Sequence, residues 1–387
     1  MPGMRLSSLQ RLSLLPGKLR ERGPRWFVAR AIDIVVQWVV RSILRSSIVG
    51  RIVLLWSARQ TSKATLFVFY DIQSMPISFD IAWFLVCADL RRRKSGLKAM
   101  HCVFVPLKED AVRDYPPGYN EAVDAVSRAW RFNNVCADMT TLMPSLSGYT
   151  VASNRALAGG IEIYGAKRWP SAAVAPLSLT DIYRETIAGL NTAGPDWGLR
   201  APEQGMRYVR SWLKRHARGR RPIVVTMRAY PVDPERNSAI DEWLTFLNGL
   251  DESQYFPVII PDTDSAFDLD ATRLGKVAVF SDAAWNLGLR MALYEMAFLN
   301  MLVNCGPAAL CMLSSRCRYL LFKITVPGVH LASDATLRNM GFEPGNTPSF
   351  AAPLQKWVWE DDKAEILRRE FGTMVSAIEQ SEIGQQN

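Results

Sequence analysis

The stretch from Arg221 to Leu310 constrains the fold more than any other part of the chain. It reads RPIVVTM, then YFPVIIPDTD, then KVAVFSDAAWNLGLRMALYEMAFLNMLVNCGPAAL. Each short run rich in Val and Ile stops at a polar loop that opens a helical pattern. This is the βα rhythm of a parallel sheet with helices on its faces. In such sheets ligands sit at the carboxyl ends of the strands. The loops at those ends carry Arg228, Tyr230, Arg236 and Asn237, then Asp262, Thr263 and Asp264, then Asn304, Gly306 and Pro307. Two arginines and a Gly-Pro helix start point to an anionic ligand, a diphosphate above all.

The chemistry of each loop supports that expectation. Arg228 stands directly after the strand Pro222–Met227, where a guanidinium matches phosphate oxygens bidentately, and Arg236 follows across a loop bracketed by Pro231 and Pro234. Asn237 or Ser238 suits the cap of a helix over 239–250. Residues 285–303 read as helical, with 301–304 either ending that helix or forming a short strand. Gly306 then lets the backbone come close, and Pro307 opens a helix from Ala308 to residue 314 whose leading amides would hold a phosphate. Glu295, between Arg290 and Asn300, is a candidate for ribose or sugar contact. Asp262-Thr-Asp264 has metal-chelating spacing, but turn and cap chemistry accounts for it, so no metal site is expected.

The preceding part reads as a second α/β unit. Ala64–Tyr70 and Met100–Pro106 are strand runs flanking a helix that starts near Ile81 and ends in the basic run Arg91–Lys94, cations suited to a helix carboxyl terminus. No alternation of aromatic and basic residues accompanies that run, and a nucleic-acid partner is not expected. The loop 71–80 lies at the ligand-facing end. Asp71 and Asp80 are therefore candidate general bases, helix capping being their alternative role. Residues 148–152 form a possible further strand, and the proline-rich segment 165–205 reads as a connection between domains. A chain of 387 residues is ample for two domains.

Charge is concentrated at one end. Residues 1–60 hold eleven basic and two acidic side chains, an excess of nine that equals the net +9 of the whole chain. Over 27–56 the arginines gather on one side of a helical wheel, opposite Trp38, Val39 and Ile43. Such a basic amphipathic helix suits an anionic membrane surface, and its charges are too closely spaced for a bilayer span. The six cysteines form no CxxC pair and read as buried reduced thiols of a cytoplasmic protein. The histidines, His101, His216 and His330, are too scattered to indicate a nucleophilic triad.

The strings TMRAYPVDPERNSAIDEW, AAWNLGLRMALYE and NCGPAALC resemble bacterial surface-polysaccharide glycosyltransferases of the GT-B type over about residues 220–325, with a thinner likeness over the first domain. Asn304, Gly306 and Pro307 are similar to the donor-phosphate loop of heptosyltransferase-like enzymes. Arg228 is similar to the arginine that fucosyltransferases direct at the donor diphosphate. The chain departs from both patterns: no histidine lies two residues before Arg228, and Ala308–Leu310 lacks the heptosyltransferase Met-His. The resemblance implies two Rossmann-like domains and a metal-independent transferase that needs no cofactor and takes a nucleotide-sugar donor as substrate. The acceptor would be a surface glycan or a lipid-linked glycan at the inner face of the cytoplasmic membrane. The expected organisation is a membrane-surface extension at 1–60, an acceptor domain at 61–195, a donor domain at 196–350, and a crossover helix and tail at 351–387. Two rivals are a nucleotide-sugar epimerase on the same fold and a non-catalytic membrane-associated assembly factor.

Overall fold

The computed structural model describes residues 63–107, 123–160, 167–171, 178–263 and 271–384, together with scattered positions between 23 and 39. Those scattered positions belong to an amino-terminal unit, Met1–Lys63, and are helical, with Val28, Ile32, Val35, Val36 and Val39 exposed. Trp38, Arg41, Arg45, Arg51 and Arg59 of the expected amphipathic helix lie outside the described residues, as does Asp264. Among the described residues no helix is long and apolar enough to cross a membrane.

The unit Ala64–Asn387 is built as two α/β lobes. In the first, β1 (Thr65–Asp71), α1 (Ile81–Lys94), β2 (Ala99–Val105), α2 (Ala125–Arg131), β3 (Leu146–Val151), α3 (Arg155–Gly160), β4 (Lys167–Trp169) and α4 (Leu179–Leu190) follow one another. In the second come α5 (Glu203–His216), β5 (Arg221–Thr226), α6 (Ile240–Asn248), β6 (Tyr255–Ile260), β7 (Ala278–Val279) and α7 (Leu287–Met296). The lobe continues with β8 (Leu299–Val303), α8 (Ala308–Met312), β9 (Tyr319–Phe322), α9 (Asp334–Met340), β10 (Gln355–Trp357) and α10 (Ala364–Gly384).

Every named strand pair is parallel. The first sheet runs β3-β2-β1-β4 and the second β10-β9-β8-β5-β6-β7. In each sheet the chain therefore starts at an inner strand, winds outward, and returns to wind the other way, the doubly wound order of a dinucleotide-binding sheet. This is the expected pair of Rossmann-like domains.

Period-2 alternation sorts the strand side chains onto the two faces of each sheet. On β1, Val68 and Tyr70 join the large apolar core that draws on both lobes, while Phe67 and Phe69 face a smaller cluster with Val103 and Ala158. On β6, Phe256, Val258 and Ile260 enter the shared core, and Tyr255 and Ile259 enter a second core under α6 and α10. Where α5 crosses α7, Gly205 has to be glycine: an added Cβ would lie 2.7 Å from the Gly288 carbonyl oxygen.

Three expectations change. The segment 165–205 is more than a connection, since it holds β4 and α4. The amphipathic α4 starts with a capping box in which Ser178 and Asp181 bond each other's backbone amides. Residues 285–303 divide into α7 and β8, the Val303 end pairing with Phe322 of β9. The carboxyl-terminal helix does not cross back to the first lobe. Leu367, Phe371, Met374 and Ile378 of α10 bury against the second lobe's Phe246, Tyr255 and neighbours. At about 1.5–3 kcal/mol per buried side chain that stripe favours docking by roughly 6–12 kcal/mol before ordering entropy. Arg221 and Arg318 pair with its Glu379 and Glu382.

Candidate functional site

The two sheets place their switch points around one cavity of about 600 Å³. In the second sheet β5 and β8 are the neighbours from which the chain winds in opposite directions, so the loops leaving their ends part and open a crevice. Arg228 follows β5, and Asn304, Gly306 and Pro307 follow β8; Tyr230, Arg236, Asp262 and Thr263 complete that wall. The first lobe supplies the opposite wall from the loop after β1 (Ser78, Phe79, Asp80), from Trp83 of α1, and from Trp130 and Arg131 of α2.

Arg228 is buried and organises its own loop. Nη1 donates to the Asp233 carbonyl (3.1 Å) and to Asn237 Oδ1, and Nη2 donates to the Val232 carbonyl (2.8 Å). A guanidinium carries five N–H donors, so one on Nε and one on Nη2 are left by these bonds. Burial lowers the Arg228 pKa from its ordinary value, and the neighbouring Arg236 charge adds to the effect. Arg236 Nη2 donates to the Asn304 carbonyl (3.2 Å), and its Nη1 lies 3.7 Å from Asp233. Its Nε is buried with no hydrogen-bond partner among the described residues. A buried donor left unpaired costs about 1–3 kcal/mol. Arg290 also lines the cavity, nearly fully buried, with Nε on the Ala283 carbonyl (2.7 Å) and Nη1 on the Tyr294 hydroxyl (3.3 Å). No carboxylate among the described residues is within ion-pair distance of Arg228 or Arg290. The wall is cationic and under-neutralised.

Opposite it stands Asp80. It occupies the cap position of α1, yet its side chain makes no capping bond. Instead Oδ1 accepts from the Tyr183 hydroxyl (2.7 Å) and Oδ2 from the Ser78 hydroxyl (2.6 Å). Burial, and then the Asp80 charge, push the Tyr183 phenol well above its ordinary range, so it remains a donor. Two fixed donors orient a carboxylate that has about four acceptor sites, which leaves capacity for a substrate proton.

Neither a protein-family model nor a curated protein matches this chain. Solved structures do resemble it. The glycosyl transferase family 9 protein of Veillonella parvula DSM 2008 has 10% identity over 81% of this chain and 97% of that one, with a TM-score of 0.42. The E. coli heptosyltransferase WaaC with ADP-2-deoxy-2-fluoro heptose has 9% identity over 80% and 99%, with a TM-score of 0.38. The wall teichoic acid polymerase TagF has 9% identity over 89% and 92%, with a TM-score of 0.31. Similarity this distant says nothing about the reaction of this chain.

The structure gathers Asp80, Arg228, Tyr230, Arg236, Asp262, Thr263, Asn304, Gly306 and Pro307 in the cavity wall, whereas Asp71, Asn237, Glu295 and Ala308 do not line it. Asp71 is not a free base: its carboxylate is held bidentately by Arg155, Nη1 donating at 2.8 Å. Asn237 is a brace, taking the Arg228 guanidinium and the Tyr230 amide (3.0 Å) on Oδ1. Glu295 accepts from the Ala201 amide (2.8 Å), and burial raises its pKa. Ala308 is likewise outside the wall. The helix at 308 spans only Ala308–Met312, and the amides of Ala308, Ala309 and Leu310 already donate to Cys305, Gly306 and Pro307. The expected phosphate-holding amides are therefore occupied. Gly306 permits a close approach, but by a ring: an added Cβ would sit 2.7 Å from Phe79 Cδ2 of the first lobe. Asp262 ties two loops together, accepting from the Ala229 (2.9 Å) and Thr263 (2.7 Å) amides. Arg131 and Arg290 were not anticipated. The one signal for Arg290 was a cation inside the otherwise apolar run LGLRMALY.

Proposed function

We propose that this chain is a glycosyltransferase that moves a sugar from a nucleotide-sugar donor to a surface-glycan or lipid-linked acceptor at the inner face of the cytoplasmic membrane. One observation carries the reading. Arg228, with two donors left and no carboxylate in ion-pair distance, and Arg236, with its unpaired Nε, line one cavity between two doubly wound sheets together with Asp80. A diphosphate supplies the missing charge, and its oxygens satisfy the buried Arg236 Nε.

In the reaction this arrangement suits, an acceptor hydroxyl gives its proton to Asp80 as its oxygen bonds to the anomeric carbon of the donor sugar. The bond from that carbon to the diphosphate oxygen breaks, and its electron pair leaves with the nucleoside diphosphate. Arg228 and Arg236 are already in place to stabilise that charge, so little reorganisation is needed as it develops. Tyr183 and Ser78 keep the base aimed. The basic residues 1–60 would hold the enzyme on anionic lipid.

A thermal-shift screen of nucleoside diphosphates and nucleotide sugars tests donor binding. Turnover of the bound donor, with and without bacterial lipid extract as acceptor, then tests transfer. Stabilisation by one nucleoside diphosphate, and its acceptor-dependent release, are expected. Donor conversion without any acceptor would instead identify an epimerase. The absence of nucleotide binding would leave the assembly-factor alternative.

A further inference from the structure

The cavity contains a cation that comes from the wrong side to belong to the second lobe's loops. Arg131 is the last residue of α2, in the first lobe, and the chain continues directly into a π-helical segment, Phe132–Ala137. Such wide turns concentrate at functional sites, because they re-aim side chains that a regular helix would point elsewhere. No residue of helix α2 is fully buried, and its main packing contact is the half-buried Trp130 against the shared core. Its end nevertheless reaches the second lobe twice. The Trp130 ring meets Trp285 edge-on at 5.4 Å, and the Arg131 guanidinium lies 5.2 Å from the centre of the Tyr230 ring.

Tyr230 also has the Arg228 guanidinium 5.6 Å from its centre. Arg131 and Arg228, one from each lobe, thus converge on the same ring, with Arg236 also on the second lobe's wall. No carboxylate among the described residues pairs with Arg131. A ring face attracts each cation but takes none of the N–H···O bonds a guanidinium can make, so the pair keeps donors for a multivalent anion.

Resting on the reading of the cavity as a nucleoside-diphosphate site, we infer that Arg131 is the first lobe's own ligand to the diphosphate. The leaving group is then gripped from both lobes. Donor affinity depends on contact between the lobes, and the acceptor-side base Asp80 is brought to bear as the donor is held.

The probe is inorganic pyrophosphate, titrated calorimetrically into the full chain and into R131Q, R131K and R228A. R131Q should weaken binding about 10- to 100-fold, the value of one charge-assisted hydrogen bond to phosphate. R131K, which keeps the charge, should recover most of the loss, and R228A should bind no pyrophosphate. A second measurement needs no variant: pyrophosphate should shield Arg131 of the wild-type chain from phenylglyoxal, mapped by mass spectrometry. Unchanged affinity in R131Q, or modification of Arg131 while Arg228 is shielded, overturns the inference and leaves the donor-site reading standing. If the wild-type chain binds neither pyrophosphate nor any nucleoside diphosphate, both fall together.

Discussion

Replacing Gly306 by alanine should push the two lobes apart at one defined contact. The new Cβ would lie 2.7 Å from Phe79 Cδ2, 3.3 Å from Cγ and 3.5 Å from Cβ. Carbon atoms prefer separations of about 3.5–4.0 Å, so the ring has to retreat by roughly 1 Å. The Phe79 backbone is held where its carbonyl accepts the Ala82 amide (3.0 Å) at the start of α1, so the half-buried ring has to move about its own side-chain torsions. Overpacking of this kind costs about 1–3 kcal/mol. In a domain of about 150–250 residues that lowers the melting temperature by roughly 2–12 °C. Thermal unfolding by circular dichroism of G306A, F79A and the double variant forms a mutant cycle. The double variant should be more stable than the sum of the single losses implies, by about 1 kcal/mol or more, since F79A removes the obstacle. Wild-type melting of G306A, or strictly additive losses, would refute an inter-lobe contact at Gly306.

Other expectations follow from the same geometry. D80N should reduce transfer about 10²- to 10⁴-fold with donor affinity unchanged, whereas D71N should retain turnover and lose about 1 kcal/mol or less of stability; steady-state kinetics beside thermal melts check both. Arg236→Met, which fills the space without donors, should lower nucleoside-diphosphate affinity while changing apo stability by about 1 kcal/mol or less, because loss of the unpaired Nε offsets loss of the bond to Asn304 and the ion pair with Asp233. Burial raises the Asp89 pKa, but the Ser145 hydroxyl and the Arg92 and Arg93 guanidiniums outweigh it, and the carboxyl ends below its ordinary 3.8. The stability it contributes is complete above that value and is lost as pH falls through the lower folded value, so acid unfolding followed at pH 2–5 should be shallower in D89N; identical acid limbs would contradict this.

What is legible in the chain is what local pattern carries. The strands at 65–71, 99–105, 221–226 and 255–260 stand out as short apolar runs, and Arg228 and Gly306 stand out by their position beyond such runs. Residues whose role depends on a distant partner were not legible. Asp71 and Asp80 are equivalent in sequence, each beside a strand-to-helix loop. Only the folded chain sends Arg155 to the first and Tyr183 to the second. In the sequence Gly306 offers room for a phosphate, yet in the fold its immediate neighbour is Phe79, more than two hundred residues earlier. Arg131 followed no strand and belonged to no motif, so nothing local distinguished it from a solvated helix end. The carboxyl-terminal helix showed its apolar stripe plainly, but a stripe does not name the surface that receives it.

The most direct test is the structure of the chain bound to whichever nucleoside diphosphate stabilises it most. The diphosphate oxygens should lie about 3 Å from guanidinium nitrogens of Arg228 and Arg236, on the side of the cavity facing Asp80. Phosphates bound elsewhere, with Arg236 Nε still unpaired and Arg228 still bonded only to its own loop, would contradict the account at its centre.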